Sequence, residues 1–199
     1  MATPLVTDIR RGSFSGMGVI QELAADLDAE ERTLRRAASQ GTLRASRLGP
    51  RRLRLAPGER EYLGVHWPIL SELRRTLRTE HGVRLAVLYG SVARGDEDEG
   101  SDLDLLVSFA EGHFSPELKV ARRLQRVSGR RVDVARLERV DVQAPLLLER
   151  VLEEGRVLID RDRLWERLRE CAPTIRARAL QAHRNQMADT ARAIKELTG

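Results

Sequence analysis

Cysteine is almost absent from this chain. The lone Cys171 excludes an internal disulfide and a zinc site built from cysteines. Lysine is nearly as scarce, confined to Lys119 and Lys195, so arginine carries the net charge of +5. No apolar run reaches the roughly 20 residues that a membrane-spanning helix needs, so no membrane partner is expected. Met1 to Arg11 lacks an apolar signal core, so export is not expected either. Together these absences lead to an expected cytoplasmic location. The four histidines, His66, His81, His113 and His183, are scattered without ligand spacing and receive no role. There is no internal repeat and no low-complexity segment. What remains is a chain of 199 residues, enough for one or two small domains with a real core.

An arginine-rich composition by itself matches a GC-rich coding sequence, and the distribution of charge is more informative. Between residues 41 and 60 there are six arginines and one acid, Glu59. Residues 1–16 form a polar lead-in without periodicity. Over 17–60 the pattern is that of a small helical unit. Ile20, Leu23, Ala24 and Leu27 fall at helical spacing. Asp28 offers an N-cap, with Glu31 three residues later as in a capping box. The next helix, 31–40, turns Leu34, Ala37 and Ala38 inward and ends at Gly41. Segments 43–46 and 52–55, joined through Gly49-Pro50, read as a hairpin. Two short helices, a glycine and a basic hairpin resemble a winged helix-turn-helix. The resemblance implies that Arg32, Arg35 and Arg36 on the second helix enter a DNA major groove. It also implies that Arg44, Arg47, Arg51, Arg52 and Arg54 on the wing follow phosphates. A homodimer is the matching expectation, since such units commonly pair on two half-sites. The other reading of 17–60 is an accessory helical subdomain with a solvated basic face.

Residues 61–80 form a connecting helix. Tyr62, Leu63, Trp67, Leu70, Leu73 and Leu77 line its inner face, and Pro68 is expected to break or kink it. Strands and helices alternate over 81–160. Strands are expected at 83–89, 103–109, 131–135 and 156–159. Helices are expected at 91–94, 116–127 and 144–154, the last opened by Pro145 and closed by Gly155. This alternation argues a mixed α/β (α+β) arrangement, a small sheet with helices packed on it. Residues 161–199 complete the chain as two helices, about 163–171 and 174–197. In the second, Leu180, Met187 and Ile194 recur every seven residues as a stripe for packing, within the chain or to a partner.

The chemistry lies in residues 90–104. Gly90-Ser91 is followed, after ten intervening residues, by Asp102-Leu103-Asp104. Apolar runs flank the segment, Leu85-Ala86-Val87-Leu88 before it and Leu105-Leu106-Val107 after it. The Gly-Ser pair therefore sits where a strand gives way to a helix. Backbone N–H groups point outward there and the serine hydroxyl adds a donor, so a triphosphate is the natural guest. Gly90 lets the backbone approach it closely. Asp102 and Asp104 alternate along a strand and share a face. Two carboxylates so placed repel unless a cation joins them, and Mg²⁺ takes such oxygens together with substrate phosphates. Asp133, inside Arg131-Val132-Asp133-Val134-Ala135, is the expected third carboxylate. An acid within an apolar strand costs free energy unless it is paired or bound to metal. Arg94 is either a phosphate neutraliser or a surface residue beside Asp96 and Glu97. The acidic run 96–99 reads as a solvated loop.

Gly90-Ser91, Asp102-Leu103-Asp104 and a later Asp133 resemble the minimal nucleotidyltransferase family of the DNA polymerase beta-like superfamily. The resemblance covers about residues 70–160, and Ala93-Arg94-Gly95-Asp96 and Ser101 also match common family usage. It implies that fold, with Asp102, Asp104 and Asp133 as catalytic residues holding two Mg²⁺ ions, or Mn²⁺ in their place. It implies a nucleoside triphosphate, ATP first, whose phosphates meet Gly90, Ser91 and Arg94. One metal would orient the triphosphate and the other would acidify an acceptor hydroxyl for in-line attack on the α-phosphate. Asp133 would assist that deprotonation, and pyrophosphate would leave.

The expected function is thus transfer of NMP, AMP first, to a hydroxyl on a protein, an RNA or a small molecule. Family members include antibiotic-modifying enzymes, antitoxins that adenylylate a HEPN-type toxin, and toxins acting on tRNA ends. Antitoxin-like members are short, and the N-terminal unit and C-terminal helices here depart from that layout. The alternative is a DNA-binding transcriptional regulator whose nucleotidyltransferase-like domain senses nucleotide without turnover. The full set of three carboxylates weighs against it. A pure interaction module using the seven-residue stripe would leave Asp133 unexplained.

Overall fold

Ile20 and Leu23 give α1 (Val19–Asp26) its buried stripe, and Leu34 and Ala37 do the same for α2 (Glu31–Gln40). These positions come from a computed structural model that describes residues 18–49, 52–110 and 116–198. The expected lead-in over 1–16 and Arg51 lie outside the described residues. Between the two helices Asp28 adopts φ +46 and Glu30 takes the N-cap position. The expected capping box from Asp28 to Glu31 is therefore not formed. Asp28 serves instead as the left-handed residue that reverses the chain, a conformation aspartate tolerates. Gly41, at φ +87, closes α2 as expected. β1 (Ala45–Arg47) and β2 (Leu53–Leu55) pair antiparallel as a hairpin.

α3 (Glu59–Thr79) runs through Pro68 without the break that was one of the two expected outcomes. A helical proline presses on the carbonyl four residues back. Here that residue is Gly64, and both face solvent, so water can take the freed carbonyl. On the opposite face Leu63, Trp67, Leu70 and Leu77 are buried and hold the helix to the core.

The chain continues as β3 (Val83–Tyr89), α4 (Gly90–Arg94), β4 (Leu103–Phe109), α5 (Pro116–Ser128) and β5 (Val132–Arg136). Then come α6 (Leu137–Gln143), α7 (Pro145–Glu154), β6 (Arg156–Asp160), α8 (Leu164–Glu170) and α9 (Ala172–Thr198). The short α6 is absent from the sequence-based expectation; its buried residues are Leu137 and Val140. The sheet has the order β5-β4-β3-β6, with β3 antiparallel to both neighbours and β4 parallel to β5. It is the expected small mixed sheet with packed helices.

Strand alternation divides the core. Ala86, Leu88, Leu103, Leu105 and Val107 face one side, in a cluster with Leu63, Leu70 and Leu124. Ile20, Leu23, Leu34 and Leu43 belong to the same cluster, so the N-terminal helices share a core with the sheet. Each leucine fully buried there stabilises by about 1.5–3 kcal/mol. Leu85, Val87, Leu106 and Val157 face the other side, against Leu148 and Val151 of α7 and Ile175 of α9. Leu180, Met187 and Ile194 are exposed on α9. No helix among the described residues is long and apolar enough to cross a membrane.

One buried charge joins these parts. Arg156 is 1% exposed and donates to Ala93 O at 2.7 Å, Thr42 O at 3.2 Å and both carboxylate oxygens of Glu59 at 2.7 and 3.1 Å. Its guanidinium lies 3.5 Å over the Tyr62 ring. The Tyr62 hydroxyl donates to Val92 O at 2.9 Å, and burial pushes the phenol up to about 12.

Candidate functional site

β3 ends at the sheet edge where β4 and β5 begin. Register sets Tyr89 opposite Asp104, and Asp104 opposite Asp133. The two-residue period then puts Asp102, Asp104, Asp133 and Tyr89 on one face, the face that carries Leu106 and α7. The three predicted carboxylates are thus brought together. They are not alike. Burial, and then the charges of Asp133 and Asp102, raise the Asp104 carboxyl above its ordinary value. Asp133 is 56% exposed, because β5 is the outer strand. The burial that singled it out in sequence is therefore absent, and register with Asp104 is what places it. Arg131 reaches across, 3.6 Å from Asp102 and 3.7 Å from Asp133. Being 71% exposed, it neutralises them weakly. Burial and the facing carboxylates push the Tyr89 phenol up to about 12; sequence reasoning gave this residue no role.

Gly90 adopts φ +79, and a Cβ there would run into Asp104 Oδ2. Only glycine permits this contact between turn and carboxylate. The Gly90 N–H donates to Glu154 Oε1 at 2.9 Å, and Arg94 Nη1 donates to Glu154 Oε2 at 2.8 Å. Arg94 Nε also donates to Asp96 at 3.0 Å. These hydrogen bonds, Asp96 first and Glu154 second, raise the already high Arg94 pKa. Arg94 is thus an exposed residue beside Asp96, as one of the two readings had it, and is also tied to Glu154 at the turn. Sequence reasoning missed Glu154, which lies 64 positions from Gly90. Its one local signal is its place just before the helix-ending Gly155.

The acidic run is not uniformly solvated. Glu97 is partly buried and pairs with His66 Nε2 at 2.7 Å. His66 is itself buried and stacks on Tyr62 with ring centroids 4.1 Å apart. So one of the four histidines has a structural role that spacing could not show.

Of the predicted DNA-binding set, Arg32, Arg35, Arg36, Arg47, Arg52 and Arg54 are exposed, and Arg35 pairs with Glu31 at 3.4 Å. Arg44 does not belong with them. Its N–H donates to Glu59 Oε1 at 2.9 Å and its guanidinium to the Glu154 carbonyl at 2.7 Å. Burial and the nearby Arg156 lower its pKa.

Among the described residues, no three acidic, imidazole or thiol side chains form a metal cage from protein atoms alone. Three carboxylates are nonetheless hard oxygen donors. Such donors fit Mg²⁺, which keeps several waters and takes substrate phosphate oxygens as ligands.

Residues 71–164 match the family described as Polymerase beta, Nucleotidyltransferase. A protein of Methanocaldococcus jannaschii named for protein adenylyltransferase activity is 36% identical over 90 residues, 43% of this chain and 94% of its own length. A second protein of that organism with the same naming is 35% identical over 69 residues, 33% of this chain and 69% of its own. A toxin–antitoxin crystal structure with AMP-PNP aligns over 61% of this chain and 97% of its own, at 22% identity and a TM-score of 0.48. A tri-AMPylated Shewanella oneidensis HEPN toxin in complex with MNT antitoxin aligns over 68% and 100%, at 15% identity and a TM-score of 0.43.

Proposed function

We propose that this chain, which belongs to the Polymerase beta, Nucleotidyltransferase family, transfers AMP from ATP to a hydroxyl group of a protein. The observation that carries this reading is the grouping of Asp102, Asp104 and Asp133 at one sheet edge, directly against the Gly90 turn. The choice of AMP and of a protein acceptor is supported by the names of the two Methanocaldococcus relatives.

Asp102, Asp104 and Asp133 would hold divalent metal, two Mg²⁺ or Mn²⁺ ions in the full site, which supplies charge neutralisation and an acidified acceptor hydroxyl. The rest falls to the chain. The Gly90-Ser91 turn orients the triphosphate, with the Ser91 hydroxyl and N–H as donors. Arg94 adds positive charge at the same turn. Asp133, open to solvent, takes the proton of the acceptor hydroxyl. The acceptor oxygen bonds to the α-phosphorus as the bond to the bridging β-phosphate oxygen breaks, and pyrophosphate leaves. The first acceptor to try is a HEPN-type partner protein; RNA and small-molecule hydroxyls come next. The proposed setting is the cytoplasm, where ATP is available.

The test is transfer of label from α-labelled ATP to protein with Mg²⁺. The wild type should label its acceptor, while D102N, D104N and D133N should not. Equal labelling by wild type and D104N would refute the reading. ATP binding without transfer to any acceptor would favour the nucleotide-sensing regulator instead.

A second reading concerns the N-terminal unit, 17–60, joined through helix 61–80 to the transferase unit 81–160 and the helices of 161–199. Exposed Arg32, Arg36, Arg47, Arg52 and Arg54 on α2 and the hairpin support DNA binding, as a homodimer on two half-sites. Binding to duplex DNA should fall steeply with salt; salt-independent binding, or none, would remove this part.

A further inference from the structure

Glu154 lies outside the carboxylate group assigned to the reaction. It ends α7, its side chain is only 12% exposed, and both of its carboxylate oxygens are used, on Gly90 N–H and on Arg94. Its own carbonyl accepts from Arg44 at 2.7 Å. The next residue, Gly155, is seated so closely that a Cβ would meet Val87 Cγ1 at 2.7 Å. α7 therefore ends hard against β3, and Glu154 is anchored from the hairpin side and from the sheet. What it grips is the turn that faces Asp104. The carboxylate is thus a fixed support of the turn rather than a temporary occupant of a phosphate position.

We propose that Glu154 is a positioning residue for nucleotidyl transfer. It holds the Gly90-Ser91 turn and Arg94 at one distance from Asp104, so that the α-phosphate is presented in line. The inference rests on the nucleotide site proposed above. A misplacement of about 1 Å at such a site costs on the order of 100-fold in rate, and such placement depends on rigid supporting contacts.

The experiment is steady-state transfer from α-labelled ATP with Mg²⁺ by wild type, E154A, E154Q, E154D, R94A and R94A with E154A. E154A is expected to lose about 100-fold in kcat, with a much smaller change in KM for ATP. E154Q keeps oxygen and reach for the Gly90 N–H and should stay within about tenfold of wild type. E154D keeps the charge but falls short, and should be slower than E154Q. Because Glu154 acts partly through Arg94, E154A should cost less in the R94A background than in wild type. Should E154A fail to fold, the order of E154Q over E154D carries the test. The proposal is overturned by an E154A at wild-type rate, by faster turnover with tighter ATP binding, or by E154D matching E154Q. A wild type that transfers nothing under these conditions brings down the nucleotide-site reading itself. A working wild type with an indifferent E154A removes Glu154 alone.

Discussion

Two sets of charged side chains in this molecule obey opposite rules. Arg156 and Glu59 are 1% and 2% exposed, opposite in sign and bonded through two oxygens. Asp102, Asp104 and Asp133 share one sign and reach solvent to differing degrees, and only Asp102 and Asp133 meet Arg131, at 3.6 and 3.7 Å. The first set is saturated by the protein's own atoms, so nothing remains for a ligand. The second keeps like charge at a sheet edge with one member desolvated, an arrangement a cationic ligand relieves. Charge that is buried and balanced holds this fold together; charge that is clustered and unbalanced marks the proposed site.

The contrast breaks most visibly at the buried pair. E59A leaves Arg156 buried without its partner and should cost about 3–5 kcal/mol in urea unfolding. Replacing both by apolar residues, E59L with R156M, removes the unpaired charge but strands the Arg44 N–H, Ala93 O and Thr42 O, and should cost less than E59A and R156A summed. A loss from E59A no larger than that of an exposed pair would erase the distinction. At the carboxylates the effect should fall on activity instead. D104N should lower transfer by roughly 100- to 1,000-fold, the loss of several kcal/mol of metal-borne stabilisation. With like-charge repulsion relieved, its thermal midpoint in chelator should rise by roughly 2–4 °C. A midpoint that falls would mean that Asp104 is structural.

The basic hairpin carries the same contrast on a smaller scale. The Arg44 guanidinium is turned inward onto the Glu154 carbonyl, whereas Arg47 faces out. R44A should cost about 1–3 kcal/mol of stability. R47A should leave stability unchanged and reduce the salt dependence of DNA binding by about one unit of slope. The smallest effect belongs to Arg84 and Asp162, a half-exposed pair in which the Arg84 hydrogen bond holds the Asp162 carboxyl below its ordinary 3.8. A depressed carboxylate contributes stability above 3.8 that is lost as pH falls through its folded pKa. R84A should therefore lower the midpoint slightly at neutral pH and not at all in strong acid. A pH-independent difference would remove this assignment.

What was legible in sequence was what is local. Gly90-Ser91 and Asp102-Leu103-Asp104 lie close together along the chain, and the flanking apolar runs set β3 and β4 at the bounds they have. Asp133 was found for a reason that fails, since apolar neighbours on an outer strand do not bury it. Glu154 and the Arg156–Glu59 pair could not be read, because their contacts span 64 and 97 positions and depend on how α7 and β6 meet the rest. Pro68 misled because a local rule about helix breaking was overridden by a buried face and a glycine one turn back. Arg44 misled because composition counts arginines without saying which way they turn.

The most direct test of a metal-dependent ATP site at the three carboxylates is calorimetric titration with a non-hydrolysable ATP analogue. It would be run with Mg²⁺ and with chelator, on wild type and on D102N with D104N. Binding that requires Mg²⁺ and vanishes in the double variant is the expected result. Binding that persists in chelator, or that the double variant retains, would contradict it.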